Sequence, residues 1–388
     1  MRDLVLTGGR IIDPASGRDE MADIAFGHGK VTEIGRDLPT RDAEIVDVRG
    51  LLVVPGLIDL HTHVYWGGTS LGVDAVEVAR RSGTTTFVDA GSAGPGIFPG
   101  FRRHVIEPSP LRIIPYLNVS FPGIFALSAA VAVGECTDLR LLDPRECVRV
   151  IEANRDLIAG VKVRVGRNAG GASGVAPLDI ALEVAEETGL PVMAHLDNPP
   201  PSRLEVLARL RRGDVLTHCF RPFPNAPVQQ DGRIREEVLE ARRRGVIFDI
   251  GHGSGSFGFR AAEAMLTAGF PPDVISSDVH ALSIKGPAFD QLMTMSKFLC
   301  LGMELIDVIR ASTAAPAAAL NRTDIGRLEI GAVGDATVLE LTEGDFEYRD
   351  VLGEARTGRQ RLKARALWWP GSGGTRPQQR AATSQSNV

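Results

Sequence analysis

Cysteine is scarce and unpatterned in this chain: Cys136, Cys147, Cys219 and Cys300 are four residues in 388, with no repeating spacing. No C-x-x-C pair occurs, which argues against a disulfide framework, a cysteine-based structural zinc or a dithiol redox site. Reduced thiols of a cytoplasmic protein are the expectation. Long hydrophobic runs are missing too. None approaches the roughly 20 residues that span a bilayer, and the N-terminal MRDLVLTGGRIID has no signal-peptide core before its turn. No membrane association is expected. Charge is nearly balanced: a formal net charge of −5 makes no electrostatic case for nucleic acid or an anionic surface. No G-x-x-x-x-G-K-[ST] stretch is present, so the glycines of GHGSGSFG at 251–258 are not expected to form a P-loop.

What is there is 44% hydrophobic residues and 43 glycines, the composition of a globular α/β protein. The length suits a (β/α)₈ barrel of the TIM type with a smaller module. Residues 1–54 read as short strands and glycine turns (LVLTGGRIID, ADIAFGHGKVTEIG, AEIVDVRG), too few to carry a core alone. A matching fragment, IGRLEIGAVGDATVLEL, falls within 323–370. The two ends are expected to pair into one small β-sandwich domain, its end packed by Trp368 and Trp369. The polar stretch 371–388 is expected to be a disordered tail.

Between 55 and 322, strand signals alternate with helical or turn segments. The apolar run 51–60 ends in His61 and His63, and a helix is expected over 71–81. TTTFVDAG reads as a strand ending near Asp89, RIIPYLNVS as one ending near Ser120, and GVKVRV as the fourth. After a helix at 177–188 come LPVMAHLD, ending at His195, and DVLTHCF, ending at His218. GVIFDIGHG ends near His252, and DVISSDVH carries Asp278 and His280. That makes eight strands, the number a closed barrel needs. Helices over 287–320 would complete the ring.

Strand residues i and i+2 point to one side, so His61 and His63 project together at a strand's C-terminal end. A parallel barrel places its chemistry at that end. An isolated H-x-H is ordinarily two surface histidines. Here His195, His218 and Asp278 fall at the ends of later strands, and Lys162 lies inside another. Each alone has a bland explanation: a hydrogen-bonded core histidine, a capping aspartate, a lysine snorkelling to solvent. Their coincidence at one end of one barrel is the stronger signal. A lysine within an apolar strand is costly unless neutralised or paired. Imidazole with carboxylate suits zinc, with manganese or iron as alternatives. Arg164 shares a strand face with Lys162, where a guanidinium would bind a substrate carboxylate unless an acidic neighbour takes it. His252 and His280 sit at the mouth, as substrate contacts or as supports for other side chains.

PGLIDLHTH, the Lys in GVKVR, the His in MAH, the His in LTHC and the Asp in SSDVH together resemble the amidohydrolase superfamily of metal-dependent hydrolases. The resemblance runs over 4–341. It implies two divalent metal ions held by His61, His63, Lys162, His195, His218 and Asp278, with a carbamate on Lys162. It also implies a metal-bridging hydroxide, with Asp278 as general acid/base. HTHVYWGGT, KVR and DIGHGSGSF are similar to the dihydroorotase-like branch, in particular its deacetylases. Dihydroorotase proper carries an arginine two residues after its H-x-H. Tyr65 stands there instead, where it could bind the carbonyl or its oxyanion or pack at the barrel mouth. The expectation is a deacetylase that cleaves an amide or ester bond of a small acylated carboxylate, as a homo-oligomer. A cyclic amidohydrolase (dihydroorotase or hydantoinase) is the alternative. A non-catalytic scaffold is a second, disfavoured because a silent homologue has no chemical need for the full ligand set.

Overall fold

The computed structural model describes residues 3–41 and 43–370; the tail at 371–388 lies outside the described residues. Strands from both chain ends meet in one seven-stranded sheet. Its order is Ala355–Trp368, Ala336–Arg349, Leu52–Pro55, Leu4–Asp13, Arg18–Gly27, Lys30–Gly35, with Glu44–Asp47 beside Leu4–Asp13. Leu52–Pro55 is the joint: it runs parallel to Leu4–Asp13 and antiparallel to Ala336–Arg349. Leu6, Ile11, Ile24, Val53 and Val338 give this sheet its own core. Hydrogen bonds join the strands of both chain ends in a single mixed sheet. Trp368 packs on that core and Trp369 on the larger one beside it.

The second sheet is parallel throughout, with Leu57–Thr62, Thr84–Ala90, Arg112–Asn118, Gly160–Val165, Val192–Leu196, Val215–Leu216 and Ile247–Phe248 in sequence order. Every residue of Leu57–Thr62 and Thr84–Ala90 is buried, as in strands covered on both faces. The helix expected over 71–81 is Ala75–Ser82, started by Asp74, whose carboxylate accepts the Val76 N–H at 2.8 Å. The Ala176–Thr188 helix packs on Gly160–Val165, and Gln291–Cys300 lies against Ala355–Trp368, joining the sheets. Among the described residues no helix is long and apolar enough to cross a membrane.

Two details differ from the sequence reading. The run 51–60 is not one strand, because Gly56 ends a strand of the small sheet and begins the barrel. Its N–H donates to the Asp335 carbonyl at 3.0 Å, and a Cβ there would collide with Thr85 Oγ1 and the Asp335 side chain. Asp335 in turn accepts from Arg112 Nη1 at 2.9 Å and Thr85 Oγ1 at 3.3 Å. The second difference is DVISSDVH, which is no regular strand. It closes the barrel through single parallel bridges, Val274 to Asp249 and Val279 to Thr62. Side chains replace ladder bonds: Ser277 N and Oγ donate to Asp59 at 2.9 and 2.5 Å, and Ser276 Oγ donates to Asp249 at 2.6 Å. Asp278 takes φ 48°, a left-handed conformation through which no strand continues.

Candidate metal centre

The C-terminal strand ends bring five imidazoles, an amine and a carboxylate together. His61 tilts against His218 with ring centroids 5.1 Å apart, and His218 meets His195 edge-on at 4.4 Å. His63 lies 5.5 Å from His61 and 5.9 Å from His280. Lys162 Nζ is 3.4 Å from His61 Nε2. Asp278 Oδ1 is 3.4 Å from His61 Nε2 and 3.3 Å from His63 Nε2. Lys162 is fully buried, and His61, His63, His218 and Asp278 nearly so.

Hydrogen bonds behind the rings decide which nitrogen faces inward. Ser92 Oγ donates to Asp89 at 2.8 Å, so it can only accept from His63 Nδ1, 2.9 Å away. Thr217 Oγ1 donates to Asp249 at 2.7 Å and accepts from His61 Nδ1 at 2.7 Å. His218 Nδ1 donates to the Gly251 carbonyl at 2.6 Å. Three imidazoles therefore turn bare Nε2 lone pairs inward. His218 Nε2 stands only 2.7 Å from His195 Nδ1, and Asp278 Oδ1 is buried with no hydrogen-bond donor. His195 Nδ1 therefore donates to the bare His218 Nε2, which leaves His195 Nε2 as a further buried lone pair without a donor. The donor set fits a divalent metal, and the ligand atoms of His61, His218 and Asp278 all lie within 4.8 Å of one another.

Desolvation dominates the titration of these groups. It holds His61, His195 and His218 well below the ordinary imidazole range, His63 at about 3 and His280 at about 4. The same burial draws Lys162 down to about 7 and lifts Asp278 and Asp249 to about 6. Neutral imidazoles are the ligand form.

The other sequence candidates part company here. His280 stays at the centre: its Nδ1 accepts the Leu282 N–H at 3.1 Å, which leaves the proton on Nε2, 3.9 Å from Asp278 Oδ2. Arg164 is already engaged, with Nη1 3.2 Å from Glu135 Oε2; the acidic neighbour that sequence could not name is there. Tyr65 stacks on Phe101 with centroids 4.6 Å apart, and its hydroxyl donates to the Ile97 carbonyl at 3.4 Å, so the ring is packed and not set against the histidines. His252 is buried between two glycines that abut the cluster, with its ring engaged elsewhere: Nδ1 is 2.9 Å from Gly253 O and Nε2 2.6 Å from Lys297 Nζ. Sequence reading missed Asp89, Ser92, Thr217, Glu135 and Lys297. Asp249 offered the same signal as Lys162, a charge inside an apolar strand.

Comparison with known proteins bears on this geometry. The sequence pattern of the Amidohydrolase family matches residues 52–211 and 250–361. A deacetylase from Brucella anthropi is 37% identical over 87% of this chain and 83% of its own length. A crystal structure of a dihydroorotase superposes with TM-score 0.88 at 32% identity, covering 95% of this chain and 97% of that one. A crystal structure of an adenine deaminase superposes equally well, TM-score 0.88 at 27% identity, over 96% of this chain and 99% of that one.

The His252–Lys297 contact yields a pH test. Burial pulls the Lys297 ammonium down to about 7, with Asp350 opposing, whereas an unfolded lysine titrates near ~10.4. Between those values the unfolded chain binds a proton that the fold excludes, so the fold loses stability as pH drops from about 10 to about 7 and loses no more below. Lys297→Met should therefore gain on the wild type in Tm over that window and hold a constant difference below it. A difference that is flat from pH 10 to 6 would show that Lys297 is not desolvated.

Proposed function

This chain belongs to the amidohydrolase family, and on that premise we propose that it is a binuclear metal-dependent deacetylase. It removes a short acyl group from a small carboxylate by cleaving an amide or ester bond. The observation that carries the reading is the convergence of bare imidazole nitrogens on Asp278 Oδ1 above a buried lysine. His61, His63, Lys162, His195, His218 and Asp278 would hold the two cations, zinc by the donor set with manganese or iron as alternatives. Lys162 would serve as a carbamate, which converts a buried amine into an anionic ligand.

When bound, the cations lower the pKa of a water and polarise the scissile carbonyl. Asp278 takes the proton from the attacking water and returns it to the leaving nitrogen or oxygen. His280, its Nε2–H facing Asp278 Oδ2 at 3.9 Å, steadies that carboxylate during the transfer. Arg164, held by Glu135 at one nitrogen, orients the substrate carboxylate. Deacetylase relatives of high coverage support the acyl specificity. The dihydroorotase structure favours a second reading, opening of a cyclic amide on the same centre. Hydrolysis of N-acetyl and O-acetyl carboxylates beside dihydroorotate separates them: a faster ring opening than any deacetylation would replace the first reading by the second.

Three results should follow. Protein grown with zinc or manganese should carry two metal ions per chain by elemental analysis, and Lys162→Ala should lose one of them. Less than one ion in the wild type would sink the centre. Asp278→Asn should keep its circular dichroism while kcat falls by about 10²-fold or more, the usual contribution of a general base; a variant retaining a tenth of the rate would contradict that role. Arg164→Met should raise KM for a carboxylate substrate and affect its neutral ester analogue far less. Equal effects on both would leave Arg164 as the partner of Glu135 alone.

A further inference from the structure

Asp249 is fully buried, behind His61, whose Nδ1 lies 3.6 Å from its Oδ2. Its two oxygens lead in different directions. Oδ2 accepts from Thr217 Oγ1 at 2.7 Å, and Thr217 accepts from His61 Nδ1 at 2.7 Å. Oδ1 accepts from Ser276 Oγ at 2.6 Å, and Ser276 accepts from the Gly251 N–H at 2.9 Å. The carbonyl of that same Gly251 receives His218 Nδ1 at 2.6 Å. We propose that Asp249 is a positioning residue shared by two of the metal-binding imidazoles, holding His61 through Thr217 and His218 through Ser276 and Gly251. This rests on the metal-centre reading given above.

A hydroxyl has one proton to give. Only a partner that accepts at both oxygens and donates at neither can draw the protons of Thr217 and Ser276 toward itself together. Thr217 is then left with lone pairs for His61 Nδ1–H, and Ser276 with lone pairs for Gly251 N–H. The nearby backbone has no room to find another arrangement. Gly251 sits at φ 46°, where a Cβ would collide with Thr217 Oγ1 and come within 2.9 Å of both His218 Nδ1 and His61 Nδ1. An asparagine at 249 has a single acceptor oxygen. Its amide must donate to one hydroxyl. On the Thr217 arm this inverts the chain and turns the wrong nitrogen of His61 inward. On the Ser276 arm it sets the Ser276 proton against the Gly251 N–H and loosens the turn whose carbonyl holds His218. The carboxylate acts on the metal through other groups, as outer partners of ligands commonly do, with effects of about 10–100-fold on affinity.

The test measures metal affinity by competition with a chromophoric chelator, and histidine tautomers by ¹⁵N NMR of the metal-free protein. Thr217→Ser keeps the hydroxyl and should bind both ions as the wild type does. The isosteric Thr217→Val should weaken one of the two sites about 10–100-fold and convert one histidine from the Nδ1–H form to a mixture. Asp249→Asn should weaken at least one site to a similar extent, with the apo protein still folded by circular dichroism. Thr217→Val and Asp249→Asn proteins that hold both ions within twofold of wild type, with unchanged histidine spectra, overturn the proposal. A wild type that takes up no cation overturns the metal reading instead, and the histidine spectra still decide whether Asp249 sets the tautomers.

Discussion

Lone pairs crowd the mouth of this barrel with few protons to share, and the rest of the structure answers to that repulsion. Asp278 Oδ1 lies within 3.4 Å of two imidazole nitrogens and has no donor of its own. His195 Nδ1 donates to His218 Nε2 at 2.7 Å, which leaves His195 Nε2 buried without a partner. Such a set suits a cation, and burial keeps the imidazoles themselves neutral. Hydroxyls of Ser92 and Thr217, backed by the carboxylates of Asp89 and Asp249, take the outer N–H of His63 and His61. The direction of each hydrogen bond behind the rings thus leaves acceptors facing the centre.

The scaffold gives up regularity at the same place. His218 and Asp278 both adopt positive φ, at 62° and 48°, conformations that cost non-glycine residues energy and persist where neighbours over-determine them. The barrel's last segment trades its ladder for bonds that Ser277 and Ser276 donate to the carboxylates of Asp59 and Asp249. Those two buried acids are useless to a hydrophobic core, yet they aim the strand end that carries Asp278. Farther down, Gly56 and Asp335 join barrel to small sheet at a point with no space for a side chain. Catalytic end and structural end are therefore held by different residues of the same strands.

Much of the candidate site could be read without coordinates. His61 and His63 stood out because period-two spacing at the end of an apolar run has one geometric consequence, and Lys162 because a cation inside such a run demands a partner. The parallel sheet was legible from the alternation of strand and helix signals. Harder to read were directions. Tyr65 and His252 lie at the mouth by chain position, but the first rests on Phe101 and the second faces Lys297. Loop residues carry no periodicity, so nothing in the chain order tells which way they turn. Arg164 is paired with Glu135, which sits in a loop 29 residues earlier.

The sequence by itself determined which atoms could bind: the residue types, their place at strand ends, and the burial that follows from apolar flanks. Those are local properties, set by dihedral preference and hydrophobic pattern. Only the tertiary structure decided how they act. Which nitrogen of His61 faces inward depends on Thr217, 156 residues away, and the turn of His218 depends on Gly251, 33 residues away. Hydrogen-bond direction is a property of pairs brought together by the closed barrel, and no single stretch of chain contains both members.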